Sequence, residues 1–223
     1  MLMLSMAGVW SVGRSLRAAD SPDLPKPAVD LPAPSDGETS RTAVLAGGCF
    51  WSIEATFEQV RGVTDVVSGY AGGTKATANY DQYHDSNHAE CVRITYDPRQ
   101  ITYGELLQIL LTISDPTQKD GQGNDRGSGY RSAVFYENDD QKRVAQAYVQ
   151  QLKDSKVFGE RQVYTKIEPL GDGFFSAENY HQNFVANNPD NAYGQMTCES
   201  KMGKLQAHFP EKMKRAATTR SSK

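Results

Sequence analysis

Cysteine is scarce, with three in 223 residues. That excludes a disulfide-stapled scaffold, and the odd count leaves at least one thiol unpaired within the chain. Long apolar runs are missing too; none approaches the roughly 18 residues that a membrane-spanning helix needs. There is no excess of positive charge: a net charge of −3 and a pI near 5.8 give no global field that would draw nucleic acid. Solenoid periods are absent. What is present, 38% hydrophobic and 23% charged residues with 19 glycines, suits one compact domain with a sizeable core and tails, not a disordered or collagen-like chain.

The chain divides by composition. Residues 1–19 hold a short apolar run followed by Arg14, Arg17 and small residues, the shape of a secretory signal peptide that lacks a positive stretch before the run. Export to the periplasm or beyond is the expectation, with a plain disordered tail (cytoplasmic) or an organellar transit peptide as the alternatives. Residues 20–41 contain Pro22, Pro25, Pro27, Pro32 and Pro34 and read as an extended linker. The folded domain is placed at 42–210 and a solvated basic tail at 211–223.

Within the domain, strand and helix patterns interleave. Strands are predicted at 42–46, 63–70, 89–96, 132–136 and 163–170. Helices are predicted at 50–61, 102–113, 139–156 and, briefly, 176–186. The stretch 119–129 reads as a polar, glycine-rich loop. Beyond Pro189 the pattern gives no regular structure, so a flexible C-terminal segment is expected. The fold class is α+β, a sheet with helices packed on it.

Three clusters carry chemistry. In Gly47-Gly48-Cys49-Phe50-Trp51 the cysteine stands between a buried strand and a helix, where free N–H groups and the helix dipole favour a thiolate. A plain core cysteine fits the same spacing. In Asn87-His88-Ala89-Glu90-Cys91 a carboxyl falls in an apolar strand, where burial would raise its pKa and fit it for general acid work; an edge-strand glutamate in water is the alternative. His84, His88 and Cys91 do not have the spacing of a metal site. Cys91 falls on the strand face opposite Glu90 and reads as core. Gly121–Arg131 is not a dinucleotide fingerprint, since no apolar strand leads into it and the third glycine is missing. It presents Asp125, Arg126 and Tyr130.

GGCFW, HAE after a tyrosine, GNDRGSGYRS and AENYHQNF together resemble the A-type peptide methionine sulfoxide reductases over about residues 42–210. The resemblance implies a ferredoxin-like sandwich and a monomer that needs no metal, flavin or nicotinamide. It implies Cys49 as nucleophile and Phe50 and Trp51 as the wall around the substrate's S-methyl group. It also implies Tyr80 as a hydrogen-bond donor to the sulfoxide oxygen, Glu90 as the acid that protonates it, and Asp125 and Tyr130 as further polar groups of the pocket. A sulfenic acid on Cys49 would follow, recycled by a thioredoxin-like reductant. The family's C-terminal cysteine follows a tyrosine directly, whereas Tyr193 precedes Gly194; Cys198 is assigned the resolving role by its position alone. Asn87 also stands where the family has glycine. Two other functions fit parts of the sequence: a papain-like peptidase built on Cys49 and His181, and a non-catalytic secreted binding domain. The peptidase lacks the usual glutamine before the cysteine, where Ala43 stands.

Overall fold

A computed structural model of the chain describes residues 21–215. The signal-peptide reading of 1–19 and most of the basic tail lie outside them.

Alternating apolar residues build the central strands. β1 (Arg41–Gly47) is followed by α1 (Phe50–Phe57), β2 (Val63–Ala71), β3 (Ala89–Tyr96), α2 (Tyr103–Ile113) and a small hairpin, β4 (Gly121–Gln122) with β5 (Asp125–Arg126). Then come β6 (Ser132–Tyr136), α3 (Asp139–Asp154), β7 (Lys166–Pro169), β8 (Phe175–Ser176), α4 (Phe184–Asn187) and α5 (Ala192–His208). The main sheet runs β7-β6-β1-β3-β2-β8. Its inner strands, β6-β1-β3-β2, are antiparallel throughout. With α1 and α2 between them they form the ferredoxin-like βαββαβ unit. A crossover through α3 adds β7 parallel to β6, and β8 closes the other edge against β2.

The period-2 alternation sorts the side chains of β1 and β3. Ala43, Leu45, Val92 and Ile94 face the core made with Ile53 and Phe57 of α1, Leu106 and Leu110 of α2, and Val144 and Tyr148 of α3. Val44, Ala46, Ala89 and Cys91 face a smaller apolar cluster with Phe135 on the other side. Cys91 is therefore core, its thiol directed to the Gly69 carbonyl at 3.5 Å. Helix starts match their caps: Thr102 and Glu105 form a capping box at α2, and Asn138 caps α3 through the Gln141 N–H.

Four expectations need correction. The C-terminal segment is not flexible coil: α5 is a helix of 17 residues capped by Asn191. Its inward stripe, Gly194, Cys198, Lys201 and Leu205, contains one strongly apolar residue, so its amphipathic signal is faint. The segment 20–41 keeps its extended backbone where described but is no free linker. Leu24 is buried in the core, and the carbonyls of Leu24, Pro25 and Lys26 accept hydrogen bonds from Gln108, Tyr148 and Gln151. Asp30 accepts from Thr102 and from the Gly104 N–H. The strand expected at 163–170 shortens to Lys166–Pro169. The helix expected at 176–186 breaks into a 3-10 turn, Asn179–His181, and α4, because Asn183 adopts a left-handed backbone with φ of 53°.

Candidate active site

The loop between β1 and α1 is shaped by its glycines. Gly48 has a φ of 96°, and a Cβ on it would meet the Gln122 side chain at 2.7 Å. A Cβ on Gly47 would meet the Ser114 hydroxyl at 2.9 Å. This close passage delivers Cys49 to the N-cap of α1.

At that helix end Phe50 N–H donates to Glu90 Oε2 at 2.9 Å. The Trp51 and Ser52 N–H groups lie on the side of the Cys49 sulfur and favour its charge without a capping hydrogen bond to it. Ile53 N–H bonds the Cys49 carbonyl at 3.4 Å. One helix N-terminus thus serves both the thiol and the carboxyl. The Cys49 thiol is nevertheless not a thiolate at rest. Burial, and then the charge of Glu90, push it up to about 12, against the N–H groups and the Tyr193 hydroxyl, which lower it. The expected helix-end activation is present but outweighed, because the sulfur is only 5% exposed.

Glu90 is 2% exposed on β3. Burial raises its pKa to about 7, against the Tyr83 hydroxyl and the Phe50 N–H, which favour its charge. Tyr83 donates to Glu90 Oε1 at 2.6 Å, and its oxygen lies 3.1 Å from that of Tyr130. The phenol on Glu90 is therefore Tyr83, which the sequence reading did not single out. Tyr80, expected in the pocket, stands at its rim. It is 37% exposed, its ring 5.8 Å from Tyr83 and 4.6 Å from His181. Its N–H is held by Glu178 at 2.9 Å. Tyr83 opens the 3-10 turn Tyr83–Asp85, which turns its ring inward; two tyrosines three apart look alike without that turn.

Phe50 is buried and forms the floor, its ring 5.8 Å from Tyr70 and 5.0 Å from His181. Trp51 is half-buried and stacked on Phe184 at 3.6 Å, with Tyr193 edge-on at 6.1 Å. Its indole N–H donates to His181 Nδ1 at 3.0 Å, and burial holds the His181 pKa down. That imidazole is spent on orienting Trp51, so the papain-like pairing with Cys49 is not built. Asp125 is in the site through Tyr193, whose hydroxyl donates to both carboxylate oxygens at 2.9 and 2.8 Å and also reaches the Cys49 sulfur. Tyr193, Tyr83 and Phe184 had no recognisable spacing in sequence. Cys198 is buried on α5 and does not line the cavity of about 720 Å³ into which Cys49 opens. His88 takes the Gly73 N–H at 3.3 Å and sits 3.0 Å from the Thr74 carbonyl, fastening a turn. His84 lies against Tyr83 at 3.8 Å.

A buried thiol and a buried carboxyl thus meet at one helix end beside an aromatic wall, in an enzyme of the oxidoreductase class. The chain belongs to the peptide methionine sulfoxide reductases, whose family model matches residues 41–213. It is 44% identical over 208 residues to peptide methionine sulfoxide reductase MsrA 2 of Synechocystis, covering 92% of this chain and 96% of that one. It is 41% identical over 174 residues to MsrA of Acinetobacter baumannii, covering 77% and 98%. Mxr1 of Saccharomyces cerevisiae in reduced form superposes with a TM-score of 0.64 at 29% identity, covering 71% of this chain and 91% of that one. Methionine sulfoxide reductase A of Corynebacterium diphtheriae gives 0.59 at 30% identity, covering 78% and 88%. The protein is an oxidoreductase that reduces methionine sulfoxide in protein repair.

Proposed function

We propose that Cys49 reduces the S-epimer of methionine sulfoxide, free or in oxidised proteins, through its own sulfenic acid. The observation that carries this reading is the single helix end shared by Cys49 and Glu90. A sulfoxide sulfur becomes electrophilic when its oxygen is protonated, and a carboxyl with a pKa near 7 holds that proton at neutral pH. The two titrations are coupled: a proton on Glu90 removes the charge that opposes the Cys49 thiolate. In the productive state Glu90 is neutral and Cys49 is anionic.

The thiolate attacks the sulfoxide sulfur and forms an S–S bond while Glu90 gives its proton to the oxygen. The hydroxyl then passes to the Cys49 sulfur as the S–S bond and the methionine S–O bond break, leaving Cys49 as S–OH and methionine as the thioether, with the cysteine sulfur oxidised by two electrons and the methionine sulfur reduced. Phe50 and Trp51 hold the methyl group and exclude water, with Tyr80, Tyr83 and Tyr130 around the oxygen and Asp125 holding Tyr193 beside the sulfur. Purified protein with dithiothreitol should reduce the S-epimer of dabsyl-methionine sulfoxide. No reduction of that epimer, or equal reduction of both, would refute the proposal.

The Cys198 thiol then condenses with the sulfenic acid, forming the disulfide and releasing water, and a thioredoxin-like dithiol reduces the disulfide. Because Cys198 sits in the packed stripe of α5, this step needs part of α5 to leave α1. With Cys198→Ser the first turnover should keep the wild-type rate, while recycling by thioredoxin collapses and dimedone traps Cys49. Unchanged thioredoxin-driven turnover would make this a one-cysteine enzyme.

Export remains part of the proposal. The contacts that hold the arm to the domain from Ser21 onward lie after the expected cleavage point. N-terminal mass spectrometry from the native host should find a start near Asp20; a start at Met1 would overturn export.

A further inference from the structure

Lys201 is the charged group nearest the nucleophile's loop that the chemistry above does not use. It projects from the inward stripe of α5 and is 7% exposed. Its Nζ donates to the Gly47 carbonyl at 3.3 Å, its one side-chain hydrogen bond among the described residues. An ammonium has further donors to satisfy, and burying it with one long bond to a neutral acceptor is costly. The same Nζ lies 3.9 Å from where a Cβ on Gly48 would stand, one residue from Cys49, and both Lys201 and Cys49 line the cavity of about 720 Å³. The groups that act on it are Lys204 and Cys198 on α5, Cys49 before α1 and Asp125 on β5. Asp115, Arg161 and Glu199 line the same cavity.

From this geometry we infer that Lys201 is a positioning residue that supplies the counter-charge to the Cys49 thiolate, and that it does so only while α5 is docked. The inference rests on Cys49 as the nucleophile. It explains why a lysine is buried where an apolar residue would pack better. A charge carried on α5 ties reactivity to the helix's position. Docked, the helix brings the ammonium to the nucleophile. When α5 opens to free Cys198, the ammonium departs with it, and the spent sulfur no longer has a cation beside it during disulfide formation. Nearby charges oppose each other at Lys201: Asp125 and the Cys49 sulfur favour its proton, whereas burial and Lys204 lower its pKa to about 8.

The test is alkylation of Cys49 by iodoacetamide, read by mass spectrometry of the Cys49 peptide, which needs no sulfoxide and so stands apart from the repair activity. An opposite charge nearby is worth about one unit or more in pKa. Lys201→Met should therefore slow Cys49 alkylation about tenfold at pH 7, where the rate follows the thiolate fraction. The gap should close as the pH rises above about 8 and wild-type Lys201 loses its proton. Lys201→Arg, charged throughout, should keep the gap open at high pH. A purely structural lysine would give variants that differ in melting temperature but share the wild-type pH profile of alkylation, and that result overturns the inference. If Lys201→Met does not fold, the wild-type profile alone carries the test. Its alkylation rate should climb less than tenfold per pH unit between about pH 8 and 9, where the ammonium loses its proton, and an unbroken tenfold rise per unit overturns the inference equally.

Discussion

Cys49→Ser is expected to abolish sulfoxide reduction without unfolding the protein. A serine hydroxyl ionises far above neutral pH and cannot hold the oxygen that the sulfoxide gives up, so both the attack and the product state are lost. The fold should be preserved or slightly firmer. Residue 49 is the N-cap of α1, and serine is among the preferred N-caps, worth about 1 kcal/mol over a residue that cannot accept the N–H groups. The N–H groups of Trp51 and Ser52, which have no capping hydrogen bond from residue 49 in the wild type, would find a hydroxyl oxygen there. Turnover with dithiothreitol and a melting curve check the two halves together. Turnover above background in a cleanly folded Cys49→Ser protein would remove the nucleophile from the proposal.

The strands that frame this cysteine were readable because local pattern and tertiary role agree there. Ala89–Tyr96 alternates, and the alternation alone placed Glu90 and Cys91 on opposite faces. Gly47, Gly48 and Cys49 announced a close passage into a helix, and the Gln122 side chain shows what passes there. What failed to show depends on partners distant in sequence. The proline-rich arm declares an extended backbone with free carbonyls, but nothing in it tells that Gln108, Tyr148 and Gln151 will take them. α5 hides because its inward face, Gly194, Cys198, Lys201 and Leu205, holds a single strongly apolar residue, so hydrophobic periodicity does not mark it. Tyr193 is spent on Asp125 and Lys201 on the Gly47 carbonyl, and polar groups turned inward erase the stripe that marks a helix in sequence. The resting state of Cys49 was equally illegible, because a helix end favours the thiolate while burial, which only the folded chain reveals, opposes it more strongly.

Glu90→Gln should cost catalysis and add stability, and the pair of effects identifies the acid. An amide is nearly the shape of the carboxyl. Its carbonyl can accept from Phe50 N–H and its NH₂ can donate to the Tyr83 oxygen, so the two partners at 2.9 and 2.6 Å stay satisfied. The amide cannot transfer a proton, so kcat should fall by about 10²–10⁴, the usual worth of general acid assistance, with KM little changed. Wild-type activity, which needs Glu90 protonated, should decline as the pH rises through about 7, and Glu90→Gln should lack that limb. Stability moves the other way. Glu90 has a folded pKa of about 7 against the 4.5 of a free glutamate, so the folded state holds a proton that the unfolded state releases between those values. The wild type therefore loses stability as the pH rises from 4.5 to 7, on the order of 3 kcal/mol from a shift of this size at about 1.4 kcal/mol per unit. The amide pays no such cost, and its stability advantage should be absent near pH 4 and fully present above pH 7. Melting curves of both proteins across that range, alongside the pH–rate profile, decide the matter. A Glu90→Gln protein that keeps more than a tenth of wild-type kcat would demote Glu90 to scaffolding. One that is slow but no more stable at pH 8 than wild type would show that Glu90 is not held by burial in the way the geometry requires.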